Sequence, residues 1–148
     1  MNVLGNIILL TGGSAGIGRA TAEHLMRQGY TVYAASRRGS ENIEDPFSGG
    51  RIIGICADVT VPESLEIAVN RIIEEQGELS AVICNAGNGI AGAIEDTSLE
   101  EARYQMETNF FGALNTIKAC LPIFREQKHG RIIAISSVAA VAPIPFQG

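Results

Sequence analysis

The sequence is poor in basic residues, cysteine and histidine. Eleven lysines and arginines stand against sixteen acidic residues, for a net charge of −5. That balance argues against nucleic acid as the main partner, because neutralising a phosphate backbone needs a basic face. The three cysteines, Cys56, Cys84 and Cys120, include no Cys-x-x-Cys pair. An odd, scattered set fits buried, reduced thiols of a cytoplasmic protein better than a disulfide framework or a zinc site, and all three are expected as such. The two histidines, His24 and His129, lie far apart without ligand-spaced partners, so no metal is expected. No apolar run approaches the length that crosses a bilayer, so no membrane partner is expected. No positively charged segment precedes the first apolar run, so no signal peptide is expected either.

Apolar residues, by contrast, make up 46% of the 148, and there are 17 glycines. The length is that of a single domain, spanning 1–148. Such a domain buries roughly two-thirds of the surface its unfolded chain exposes, so it needs no metal or disulfide staple. β-rich runs at 6–10, 31–35, 51–57, 80–84 and 131–135 alternate with helical patterns. Most are continuously apolar, as strands covered on both faces are, which predicts a parallel sheet between helical layers. The first helix is expected over 17–28, with Ile17, Thr21 and Leu25 on one face and Gly29 just past its end. A second over 63–76 puts Leu65, Ala68, Val69, Ile72 and Ile73 on one stripe. Thr60 and Glu63 have the spacing of a capping box before it. Ser98 and Glu101 repeat that spacing before a long helical stretch, 99–127, that Gly112 and Pro122 should interrupt. Residues 39–50 read as a loop. The fold class is therefore α/β, a doubly wound sheet of about five strands, and its ligands should bind at the carboxyl ends of those strands.

The motifs fall at those ends. Thr11-Gly12-Gly13-Ser14-Ala15-Gly16-Ile17-Gly18 follows a strand and opens a helix. Its glycines permit a tight turn and close approach of a ligand. The helix opening offers free N–H groups and a positive dipole end to a pyrophosphate, which makes Gly12, Ser14, Gly16, Ile17 and Gly18 candidate contacts. No Lys-Ser/Thr pair follows, so it is not a P-loop. After the second strand, Ser36-Arg37-Arg38 stands where an acidic residue would accept from a ribose 2′-OH. Arg37 can instead hold a 2′-phosphate, which favours NADP over NAD. Asp58-Val59 and Cys84-Asn85-Ala86-Gly87 follow the next two strands. Asp58 could accept from an adenine amino group and Asn85 could brace the loop, although an Asp before a helix is also a common cap and Asn-Ala-Gly a common turn. Asn109 lies inside the long helical stretch, where asparagine is an indifferent helix former. Ser137 ends the final apolar run, its hydroxyl either entering the crevice or capping a turn.

Together these residues resemble the short-chain dehydrogenase/reductase family. Thr11 to Gly18 is similar to its glycine motif and Asn85-Ala86-Gly87 to its Asn-Ala-Gly motif, with Asn109 and Ser137 at its catalytic asparagine and serine. Cys84 departs from an asparagine often found there, at a position facing the core. The resemblance covers the whole chain in order and implies a Rossmann-type domain performing hydride transfer between a nicotinamide and a small carbonyl or alcohol substrate. It implies that Ser137 bonds the substrate oxygen and that Asn109 holds a relay water; family members often pair through helices, which leaves a homo-oligomer of the full-length form open. It also implies a tyrosine general acid about a dozen residues past the serine, its pKa lowered from about 10 by a lysine roughly four residues further on. Residues 1–148 contain no Tyr-x-x-x-Lys. The stretch 132–148 is uncharged and apolar, and the strand at 131–135 should present an uncovered edge. The expectation is the N-terminal, poorly active part of a longer NADP-dependent oxidoreductase whose last strands lie further on. The rival expectation is a non-catalytic NADP-binding or sensing module, which would have no need of Ser137 and Asn109.

Overall fold

The computed structural model describes residues 5–146. The elements run β1 (Ile7–Thr11), α1 (Gly16–Arg27), β2 (Thr31–Ser36), β3 (Ile43–Glu44), β4 (Arg51–Cys56), α2 (Pro62–Gln76), β5 (Ala81–Cys84), α3 (Leu99–Met106), a π-helical turn (Glu107–Phe111), α4 (Gly112–Gln127), β6 (Arg131–Ala134) and a 3-10 turn (Val138–Ala140). One sheet holds six strands in the order β3-β4-β2-β1-β5-β6. All pairings are parallel except β3 with β4. The α/β class and the doubly wound parallel sheet are as expected. The count is one higher because β3, two residues long and antiparallel, lies within the segment read as loop.

Both faces of β1 are buried, which is why its sequence is continuously apolar. Ile8 and Leu10 face α1, packing with Ala22, Met26, Val32, Ala34, Ile52 and Ile83. Ile7 and Leu9 face the opposite layer with Tyr33, Leu65, Val69, Ile72, Val82, Cys120 and Phe124. Tyr33, fully buried in β2, donates its hydroxyl to Glu75 Oε2 (2.6 Å) and accepts from Gln76 Nε2 (2.8 Å). These two bonds tie the end of α2 to the middle of the sheet. Burial, together with the Glu75 carboxylate, pushes the Tyr33 hydroxyl up to about 12, so it stays protonated and donating.

Several local expectations are corrected. Ile17 is 72% exposed, and the buried stripe of α1 is Gly18, Ala22 and Met26. The helix sits so closely on the turn after β1 that a Cβ on Gly18 would lie 2.1 Å from the Gly12 carbonyl oxygen. Thr60 does not cap α2. Its N–H (2.9 Å) and hydroxyl (2.8 Å) both go to Asp58 Oδ1, while α2 starts at Pro62 with Val61 as an N-cap making no side-chain bond. A proline at the first position has no N–H to be satisfied, which lessens the need for a cap. The Ser98–Glu101 capping box forms as expected. The long helical stretch is interrupted by the π-helical turn just before Gly112, and α4 runs on through Pro122. Cys56 is exposed rather than buried, whereas Cys84 and Cys120 are buried and all three are free. Desolvation raises the Cys84 thiol to about 11 and, with Cys84 beside it, the Cys120 thiol to about 12. β6 is the exposed edge that its sequence foretells, with Ile132 and Ile133 at 40% and 38% exposure. Among the described residues no helix is long and apolar enough to cross a membrane.

The tight seat of α1 is testable. Gly18→Ala should destabilise the fold by about 1–3 kcal/mol, because backbone rather than a flexible side chain must move. A lowered urea midpoint checks this, and an unchanged one contradicts it.

Candidate functional site

The chain leaves β1 for β2 on one side, and β5 lies on the other. A doubly wound sheet opens a crevice above the carboxyl ends of its strands at this divide. The crevice here is lined by the turn after β1 (Gly12, Ser14), the end of β2 (Ser36, Arg37, Arg38), the loop after β4 (Asp58, Val59, Thr60), the loop after β5 (Ala86, Gly87, Asn88), and Tyr104 and Thr108.

The floor is built from Thr11. This buried side chain accepts from the N–H groups of Asn85 and Ala86, both at 3.1 Å, and donates to the Ile83 carbonyl at 3.4 Å. Asn85 returns the contact, its Nδ2 donating to the Thr11 (3.0 Å) and Gly12 (3.3 Å) carbonyls. On the other flank the Gly12 and Gly13 N–H groups donate to the Ala35 carbonyl at 2.8 and 3.2 Å. Three strand ends are thereby fastened to one turn. Gly12 itself has φ +70°, and a Cβ there would lie 2.9 Å from Ala86 Cα. Conformation and space both call for glycine.

Above this floor α1 opens without a protein cap. Its N-cap, Ala15, makes no side-chain bond, its first turn holds no acidic residue, and its first backbone bond runs from Arg19 N–H to the Ala15 carbonyl at 3.1 Å. The earlier N–H groups carry the positive end of the helix dipole toward the crevice.

Arg37 is held at both ends. Its carbonyl accepts from the Cys56 thiol at 3.2 Å, and its Nη1 donates to the Tyr104 hydroxyl, also at 3.2 Å. The Ser36 hydroxyl is committed to the Gly39 carbonyl at 2.8 Å, closing the turn that carries Arg37. Asp58 Oδ1 is engaged by Thr60, and the Ser64 hydroxyl bonds the Asp58 N–H and carbonyl from within α2. Val59 is buried against Gly112, whose added Cβ would stand 2.6 Å from Val59 Cγ2.

Of the candidates read from the sequence, Gly12, Ser14, Arg37, Asp58, Val59, Ala86 and Gly87 line the crevice. Gly16, Ile17 and Gly18 form the helix opening beside it. Asn85 is a brace beneath it. Asn109 sits in the π-helical turn and clamps the backbone of Asn88, accepting from its N–H (2.8 Å) and donating to its carbonyl (2.7 Å). Ser137 lies beyond β6, is exposed, and caps the 3-10 turn by accepting from the Ala139 N–H at 3.1 Å. Neither Asn109 nor Ser137 is among the lining residues. Thr11, Tyr104, Thr108 and Asn88 are participants that residue-by-residue reasoning missed. The four-residue spacing of Tyr104 and Thr108, which puts both on one helical face, was the available signal.

A family model described as short chain dehydrogenase matches residues 6–148. The 3-ketodihydrosphingosine reductase of Bacteroides thetaiotaomicron is 48% identical over 142 residues, covering 96% of this chain and 51% of that protein. Among solved structures, ElxO with NADP bound superposes with a TM-score of 0.84 at 25% identity, over 96% of this chain and 59% of that one. An alcohol dehydrogenase from the archaeon Thermococcus sibiricus, complexed with 5-hydroxy-NADP, gives 0.83 at 27% identity, over 97% and 63%. The chain thus spans about half the length of the curated relative.

The floor yields a direct test. Thr11→Val leaves two N–H groups without an acceptor and should destabilise the protein by about 2–3 kcal/mol, whereas Thr11→Ser should retain most of the stability. Thermal melts of both variants check this. Equal melting temperatures for the Val and Ser variants would contradict it.

Proposed function

The chain belongs to the short-chain dehydrogenase family, and from that premise we propose that residues 1–148 form a single coenzyme-binding domain of an NADP-dependent oxidoreductase acting on a small carbonyl or alcohol substrate. The observation that carries this reading is the crevice itself. At one end it has a helix opening with no side-chain cap and no acidic residue, and at the other a fixed guanidinium where a carboxylate would select a ribose 2′-OH. Open N–H groups and a helix dipole suit a pyrophosphate. Arg37 suits a 2′-phosphate through paired, charge-assisted bonds. The NADP and 5-hydroxy-NADP named for the two solved structures support the same choice.

A nicotinamide coenzyme, when bound, supplies or accepts the hydride. The chain's own contribution is position and proton handling. Gly12, Ser14, Gly16, Ile17 and Gly18 would hold the pyrophosphate, and Arg37 the 2′-phosphate. Asp58 and Val59 would border the adenine, and Asn85, Ala86 and Gly87 would form the floor beneath the ring-bearing half. The Ser137 hydroxyl accepts from Ala139 N–H, so its proton remains free to donate to a substrate oxygen. The Asn109 amide spends one lone pair and one N–H on Asn88 and keeps one of each for a water. The name of the Bacteroides relative makes 3-ketodihydrosphingosine the first substrate to assay. The free thiols fit a reducing, cytoplasmic setting.

Residues 1–148 hold no Tyr-x-x-x-Lys. Lacking that general acid, they should by themselves turn over about 10²–10⁴-fold more slowly than an enzyme that has it. Robust NADPH oxidation by these residues alone would contradict the roles assigned here. Coenzyme binding is the more direct measure. Arg37→Asp should weaken NADPH binding at least about tenfold, equivalent to roughly 1.4 kcal/mol, and spare NADH. Fluorescence titration checks this, and an unchanged NADPH affinity would reduce Arg37 to a surface charge.

A further inference from the structure

We propose that Tyr104 is a specificity-determining residue for the coenzyme, holding the Arg37 guanidinium across the mouth of the crevice and adding its own hydroxyl to the phosphate site. The inference rests on the NADP reading above and extends it to a residue on a different element.

Arg37 and Tyr104 are 67 residues apart and meet only because the β2 turn and α3 flank the same opening. A free arginine on a surface turn samples many rotamers, and fixing it on a ligand forfeits that freedom. Here the bond to Tyr104, made between two exposed side chains, biases that sampling toward the crevice beforehand. The backbone behind it is also held, by the Cys56 thiol on the Arg37 carbonyl and by the Ser36–Gly39 turn. The arrangement favours one placement of the guanidinium, at the mouth of the crevice.

The direction of the bond matters. Arg37 can only donate, so the Tyr104 oxygen is the acceptor and its own proton is not used on Arg37. No other side-chain partner of that hydroxyl occurs among the described residues. Tyr104 is 48% exposed and lines the crevice, so its O–H is available to an anion lying against Arg37. A dianionic phosphate on a ribose 2′ position would then meet the remaining guanidinium N–H groups and the tyrosine O–H together. A bare 2′-hydroxyl would gain little from this arrangement. The tether therefore acts on the choice between the two coenzymes more than on binding as such.

The experiment is a double-mutant cycle on coenzyme affinity, using Tyr104→Phe, Arg37→Met and the double variant, each titrated with NADPH and with NADH. Tyr104→Phe should weaken NADPH binding about fivefold or more, leave NADH within about twofold, and have a smaller effect once Arg37 is Met, because only the direct hydroxyl contact is then left to lose. A loss shared equally by NADPH and NADH would mean that Tyr104 only shapes the crevice, and would overturn the proposal. So would an unchanged NADPH affinity in Tyr104→Phe, or a loss that persists undiminished in the Arg37→Met background. A wild-type protein that does not distinguish NADPH from NADH, with Arg37→Met silent, would instead overturn the coenzyme reading on which the proposal rests.

Discussion

The arrangement depends on one buried hydroxyl. Thr11 ends β1 at the point where the sheet divides, and its Oγ1 gathers the N–H groups of Asn85 and Ala86 from β5's loop. Asn85 bonds back to the carbonyls of Thr11 and Gly12, and Gly12 reaches across to Ala35 at the end of β2. Backbone polar groups at strand ends lose their ladder partners, and buried ones must find others. Here they find one another, and in doing so they fix three loops as a single surface. The apolar packing on either face sets where the strands lie. The Thr11 cluster sets how their ends are joined.

Close approach then does for the helices what hydrogen bonds do for the loops. Gly18 lets α1 rest on the Gly12 carbonyl, and Gly112 lets α4 start against Val59. Gly18 lies in the opening turn of α1 and Gly112 at the junction of the π-helical turn with α4, both beside residues that line the same crevice. The π-helical turn before Gly112 carries Asn109, whose amide secures Asn88 twenty-one residues away. π-turns inside α-helical segments recur at functional sites, and this one holds the loop after β5 from above while Thr11 holds it from below. Tyr104, a turn earlier, reaches Arg37. The crevice is thus walled by elements whose mutual contacts satisfy packing and hydrogen bonding, and these leave one helix opening uncapped beside a guanidinium that is bonded to Tyr104 through one of its N–H groups.

How much of this is written locally explains what sequence reading could reach. Continuous apolar runs disclose strands covered on both faces, so the sheet and its parallel character are legible, down to shifts of one residue at strand ends. β3 is two residues long and has no period to detect. Ile17 looks like a core residue by type, but α1 lies too near the turn after β1 for any side chain on the inward side of its first turn, and glycine takes that place. Thr60 has the spacing of a cap, yet Asp58, two residues earlier, captures it first. The π-helical turn has no distinct local pattern. Gly112 marks its place only because Val59, far off in sequence, fills the space. The glycine motif, Arg37 and Asn85 stand out by residue type at strand ends. Tyr104 does not, because the contact that draws attention to it is with a partner 67 residues away.

On the proposed reading, the backbone amides opening α1 meet a pyrophosphate while the Thr11 cluster holds the turn before them still. Amide-resolved NMR during titration with NADPH tests it most directly. Large shifts are expected at the amides of Ser14 through Gly18, with the Asn85 and Ala86 amides protected from exchange before and after binding. Saturable binding whose shifts fall elsewhere and leave Ser14 through Gly18 unmoved would contradict it.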